Sequence, residues 1–148
     1  MRVSEQGVLT DLVSKWVSLA LEYAGEAPDV LALHFYGASE VPGVTHVNVL
    51  FDQAGEVVYP TDLVGTDNST DRAGRTQALF RSDLYEAAEK FSSISVPPPT
   101  EYRVYYEPAT RKLDVQLSRE IIYGGSDYTP GFDGFTLWLG DRAPRVIP

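Results

Sequence analysis

Among its 148 residues the chain has no cysteine and only two histidines, His34 and His46. The missing cysteine excludes a disulfide scaffold, a thiolate zinc site and a cysteine nucleophile. Long apolar runs are also absent: none approaches the ~20 residues of a membrane span. The opening MRVSEQGVLTDLV lacks the apolar core of a signal peptide, so the expectation is a soluble, cytoplasmic protein. Basic residues are scarce. Lys and Arg number 12 against 21 Asp and Glu, a net charge of −9. That balance argues against binding nucleic acid or an anionic membrane, both of which call for a basic face.

What is present fits one ordinary globular domain spanning residues 1–148, with 43% hydrophobic and 22% charged residues. The charge is unevenly placed. No Lys or Arg occurs between Lys15 and Arg72, a stretch that carries Glu22, Glu26, Asp29, Glu40, Asp52, Glu56, Asp62, Asp67 and Asp71. Two readings stand side by side: a solvated face that keeps the protein soluble, or a field that attracts a basic partner. The carboxylates placed to reach such a partner are Asp52, Glu56, Asp62, Asp67 and Asp71, with Tyr59 beside them, because turns and loops present side chains outward.

Periodicity divides the chain. Leu9, Leu12, Val13, Trp16, Val17, Ala20 and Tyr23 recur at helical spacing over 8–24, with Gly25 as the stop and Trp16 as a core anchor. Val30–Tyr36 is apolar enough for a central strand buried on both faces. After a Val41-Pro42-Gly43 turn, 45–51 alternates, and 57–59 returns as a short strand. Asp71 or Thr70 is placed to cap a helix over about 72–92. Its stripe is Phe80, Leu84, Ala87, Ala88 and Phe91, and Arg72, Arg75 and Arg81 lie on its outer half. Beyond the Pro97–Pro99 spacer, 102–106 and 113–117 alternate as a second hairpin. Residues 124–134 read as a Gly-rich loop, 135–139 as a short apolar element and Arg142–Pro148 as a tail. The expected fold is α+β: a single domain, α-βββ-α-ββ plus a closing segment, with an antiparallel sheet against helices. Val47, Val49, Leu84, Phe91, Val104 and Val115 are its expected core.

No motif for catalysis emerges. His34 and His46 fall in adjacent strands, placed where two side chains can face each other, but no third ligand stands at metal spacing. The glycines of 124–134 match no phosphate-binding pattern, and no GxSxG elbow is present. The expectation is therefore no enzymatic activity, no metal and no cofactor. Nine tyrosines, of which Tyr59, Tyr105, Tyr106, Tyr123 and Tyr128 fall at or near surfaces, suit either strand propensity or a protein interface.

Several segments then fall in a recognisable order. These are Val58-Tyr59-Pro60-Thr61-Asp62, Pro99-Thr100-Glu101 with Tyr102-Arg103-Val104-Tyr105-Tyr106, and Arg111-Lys112-Leu113-Asp114-Val115. Pro130, Trp138, Leu139-Gly140 and Pro144 follow. From Val57 to Pro148 the chain resembles the YezG-like immunity proteins, antitoxins of bacterial secreted polymorphic toxins, and the α-βββ-α-ββ order agrees. The polyproline run and the Gly-rich loop depart from that pattern. The resemblance implies an intracellular inhibitor that binds a cognate toxin domain, often a nuclease, through protein–protein contact and without catalysis. An acidic surface suits the basic cleft of such a toxin. Alternatives from other classes are a small-ligand-binding protein or enzyme with a pocket between sheet and helices, lined by His34, His46 and the tyrosines, and a chaperone for effector secretion.

Overall fold

The computed structural model describes residues 4–40 and 44–144, so the expected turn at 41–43 and the end of the tail lie outside the described residues. The chain runs α1 (Glu5–Ala24), β1 (Val30–Glu40), β2 (Val44–Gln53) and β3 (Glu56–Val58). A 3-10 turn (Pro60–Asp62) leads to α2 (Thr70–Ser93), β4 (Glu101–Glu107) and β5 (Lys112–Ser118). It closes with α3 (Pro130–Leu139) and a 3-10 turn (Gly140–Arg142). The five strands form one antiparallel sheet in the order β3-β2-β1-β4-β5. The α+β reading holds, with one addition: the short apolar element at 135–139 is a helix that begins at Pro130.

Local chemistry explains the helix ends. The Ser4 hydroxyl accepts the Gly7 N–H at 3.0 Å to start α1, and Gly25, at φ +54°, stops it. Ser69 starts α2 by accepting the Arg72 N–H at 3.3 Å, so the cap falls just before the Thr70 and Asp71 expected from the sequence. Pro130 occupies the first turn of α3, where its missing N–H costs nothing, and the Thr129 N–H donates to the Asp133 carboxylate at 2.7 Å.

α1 and α2 lie antiparallel on one sheet face. Trp16 is fully buried there, stacked on Phe35 at 5.9 Å, edge-on to Tyr102 at 5.9 Å, and donating its indole N–H to the Phe80 carbonyl at 3.2 Å. Gly37 makes the fit possible: a Cβ there would stand 3.0 Å from the Trp16 ring. Val47, Val49, Leu84, Phe91 and Val104 are buried as expected, whereas Val115 is only half-buried because β5 is an edge strand. Outside this core Asp11, Lys15, Glu86 and Lys90 form a ring of exposed ion pairs at 3.1–3.3 Å. Water and salt screen pairs of this kind, so they add little to stability.

α3 covers part of the opposite face. Phe135, Trp138 and Leu139 pack over Tyr36, Ala38, Leu50 and Val57. Gly134 rests on the Tyr36 ring, where any Cβ would come within 2.4 Å of ring carbon. This second layer explains why β1 is buried on both faces and why Leu50 breaks the alternation of β2.

Candidate functional site

Nine carboxylates lie between Lys15 and Arg72, and folding divides them. Two are used internally. Glu40 is buried, and its carboxylate accepts the backbone N–H groups of Ile122, Tyr123 and Gly124 at 2.8–2.9 Å. Burial raises its pKa, but the three donors outweigh burial and hold it below the usual glutamate value. Asp52 is 8% exposed, pairs with Arg142 at 3.2 Å and accepts the Gly55 N–H at 2.9 Å. The sequence places it in an open turn; in the structure it lies one residue before the end of β2 with its charge engaged.

The other seven, Glu22, Glu26, Asp29, Glu56, Asp62, Asp67 and Asp71, are all exposed. They sit on three segments that hydrogen bonds stitch into one end of the molecule. The Gln53 side chain donates to the Pro28 and Val64 carbonyls at 2.9 and 2.8 Å and accepts the Val64 N–H at 3.0 Å. The Ala54 N–H reaches the Asp29 carbonyl at 2.8 Å. The Thr66 hydroxyl donates to the Tyr23 carbonyl at 2.8 Å, and the Tyr23 hydroxyl to the Pro60 carbonyl at 2.7 Å. Thus the end of α1, the β2–β3 turn and the 60–71 segment share one acidic surface.

Arg72, expected on the outer half of α2, turns inward. Its guanidinium donates to the Tyr23, Asp67 and Glu22 carbonyls and to the Thr66 hydroxyl at 2.7–3.3 Å, and lies 4.5 Å from the centre of the Tyr23 ring. It caps the α1 carbonyls and fixes the loop, so much of its hydrogen-bonding capacity is spent on backbone. Asp67 is held below the usual aspartate value by the N–H and hydroxyl of Ser69 first, with Arg72 and Arg75 adding to the effect. Tyr59 is half-buried and packs under the edge of the α3 layer. Burial and the nearby Asp62 raise its hydroxyl pKa. Of the six residues singled out from sequence, Glu56, Asp62, Asp67 and Asp71 therefore share the open surface, while Asp52 and Tyr59 support it from within.

The face under α3 holds a second polar group. His34 is 2% exposed, flanked by the rings of Tyr105 at 5.1 Å and Trp138 at 5.6 Å, and its Nδ1 has no hydrogen-bond partner. Burial lowers its pKa to about 4, with Arg142 acting the same way and Asp52 opposing, so the ring is neutral near pH 7. His46 lies on the same face but does not face His34. The register sets His34 opposite Leu50 and His46 opposite Ala38, four residues apart along the strands. The Tyr36 hydroxyl donates to Glu101 and is shared with the Tyr123 hydroxyl. Tyr123, expected near the surface, is buried. Tyr105 bonds Glu107, and burial with that bond pushes its pKa up to about 12.

Among the described residues no three His, Asp or Glu side chains converge as a metal ion would require. Grooves of about 370 and 340 Å³ lie between α1 and α2 and between α1 and the β5 edge, another of about 350 Å³ lies between Glu56 and Arg142, and neither histidine lines any of these. The sequence reading missed the Glu40 nest and the Tyr36–Glu101–Tyr123 group. For α3 a signal existed in Thr129-Pro130 followed by Phe135, Trp138 and Leu139 at spacings of three and one. Also among the described residues, no helix is long and apolar enough to cross a membrane. The chain matches no protein-family model and none of the curated proteins.

Proposed function

We propose that this protein is an immunity-type inhibitor that binds the toxic domain of a cognate secreted effector inside the producing cell. The observation that supports this reading best is the single acidic end: seven exposed carboxylates drawn from three segments, in a stretch with no base of its own. A surface of this sign complements a basic cleft of the kind a nuclease needs for phosphates. The resemblance of 57–148 to the YezG-like immunity proteins points to the same class of partner. In this reading the protein acts by occlusion, not chemistry. Rim carboxylates speed encounter, and any carboxylate desolvated against an Arg or Lys of the toxin holds the complex together.

The test is charge removal at Asp62, Asp67 and Asp71, all changed to Asn, with the toxin domain encoded beside this protein's gene as the probe. Association should slow about tenfold or more at low salt, and its dependence on salt should flatten. Wild-type association rate and salt slope in the triple variant would remove the acidic end from the interface. Failure of the wild-type protein to bind that toxin or protect against it would defeat the reading as a whole.

A further inference from the structure

β5 is an edge strand of unusual openness. It pairs with β4 over all seven residues without a register break, and among the described residues its other side has no strand neighbour. It contains no proline and no bulge, two of the devices that keep edges from pairing. Alternate backbone N–H and C=O groups on its outer side are thus presented as a template. Its α1-facing side chains, Leu113, Val115 and Leu117, border an apolar groove of about 340 Å³ with Leu9 and Val13, and Leu113 is 50% exposed.

The occupant is indicated by the order of side chains. Lys112-Leu-Asp-Val-Gln-Leu-Ser118 reads nearly alike in both directions about Val115. Two copies of β5 laid antiparallel about a two-fold axis at Val115 bring Leu113 opposite Leu117 of the second copy. Asp114 then lies opposite Gln116. The first pairing covers the exposed Leu113, and in the second the Gln116 amide, which donates to Asp114 of its own strand at 3.3 Å, also comes to face Asp114 of the other copy. An isologous contact requires self-complementarity of this kind. Charge also permits it. Residues 101–119 hold four bases (Arg103, Arg111, Lys112, Arg119) against three acids (Glu101, Glu107, Asp114), so this edge escapes the −9 charge that elsewhere drives copies apart.

We infer that the protein forms a two-fold dimer through antiparallel β5–β5 pairing, joining two five-stranded sheets into one. The acidic end is built on β3 and its neighbours, at the far edge of the sheet, so the dimer presents two such ends outward. The inference does not depend on what the acidic end binds.

Sedimentation of the full chain tests it, with variants at the exposed positions 114 and 116 so that the monomer fold is kept, as thermal unfolding would verify. The wild type should dimerise. Gln116→Asp places two carboxylates face to face twice per dimer and should weaken dimerisation about tenfold, whereas Gln116→Lys should strengthen it several-fold. Because the chain has no cysteine, register can be read by cross-linking. An oxidised mixture of Asp114→Cys and Gln116→Cys should yield chiefly the mixed disulfide. A wild type that stays monomeric at near-millimolar concentration overturns the inference. So does a dimer indifferent to charge at 116, or one whose cysteine variants cross-link to themselves as readily as to each other.

Discussion

On one face of the sheet, α1 and α2, of 20 and 24 residues, lie over a core of Leu33, Phe35, Val47, Val49, Phe51, Tyr102 and Val104. On the other, the ten-residue α3 covers Tyr36, Ala38 and Leu50. Among the described residues the four buried polar or charged ones, His34, Glu40, Asp52 and Glu101, all alternate onto this second face. The first face is held by apolar area, which is insensitive to pH. The second buries a histidine and carboxylates, and the Glu40 carboxylate is satisfied only while the 122–124 backbone stays in place. The lesson is that one sheet carries two kinds of stability, and that the α3 layer is the weaker and more condition-dependent of the two.

Replacing Trp16 by Ala attacks the apolar face at its centre. It removes the largest fully buried side chain and leaves a cavity between Phe35, Tyr102 and Phe80, so denaturant titration should show a loss of about 3–5 kcal/mol. A loss under ~1 kcal/mol would mean that this face is not the main source of stability.

Acid should act on the other face. His34 has a folded pKa of about 4 against 6.5 when unfolded. Above pH 6.5 both states are neutral and stability is flat. As pH falls from 6.5 towards 4, the unfolded chain takes up a proton that the folded one does not, and stability should drop by up to about 3 kcal/mol. Thermal unfolding of His34→Phe, which retains a ring between Tyr105 and Trp138, should show a flattened profile across that interval. An unchanged slope would assign the acid sensitivity to another group.

Phe135→Ala should cost about 2–3 kcal/mol, less than Trp16→Ala, because α3 is short and covers only part of its face. Hydrogen exchange should show α3 opening well before α1 and α2. Equal protection in all three helices would erase the contrast between the faces.

Glu40→Gln should cost about 1–2 kcal/mol near pH 7, since the amide keeps one acceptor oxygen and turns its NH2 towards an N–H that the carboxylate accepted. The depressed pKa of Glu40 contributes stability that is present above the unfolded glutamate value and lost as pH falls through the folded one. The variant should therefore lose stability less steeply below about pH 4.5, an interval lying under that of His34. Proteolysis near 120–129 should quicken if Glu40 anchors that segment.

The smallest effect on stability belongs to the acidic end. Changing Asp62, Asp67 and Asp71 to Asn should leave the unfolding midpoint close to that of the wild type. A larger loss would show that these carboxylates serve folding as well as association.

Much of this was present in the chain itself. Helical spacing over 8–24 and 72–92, alternation in 45–51 and 102–117, and Gly25 as a stop are local signals, so the α+β order and the core of the α1–α2 face followed from the residues alone. Linear charge segregation likewise marked the acidic stretch. Tertiary structure decided the rest because it depends on pairs far apart in sequence. Glu40 meets Ile122–Gly124, Asp52 meets Arg142, Tyr36 meets Glu101 and Tyr123, and Arg72 turns back on the end of α1. Gly134, which resembled loop glycine, is a contact surface for Tyr36. A carboxylate's neighbours cannot be read from its own position, and only folding separated the two acids consumed inside from the seven left facing solvent.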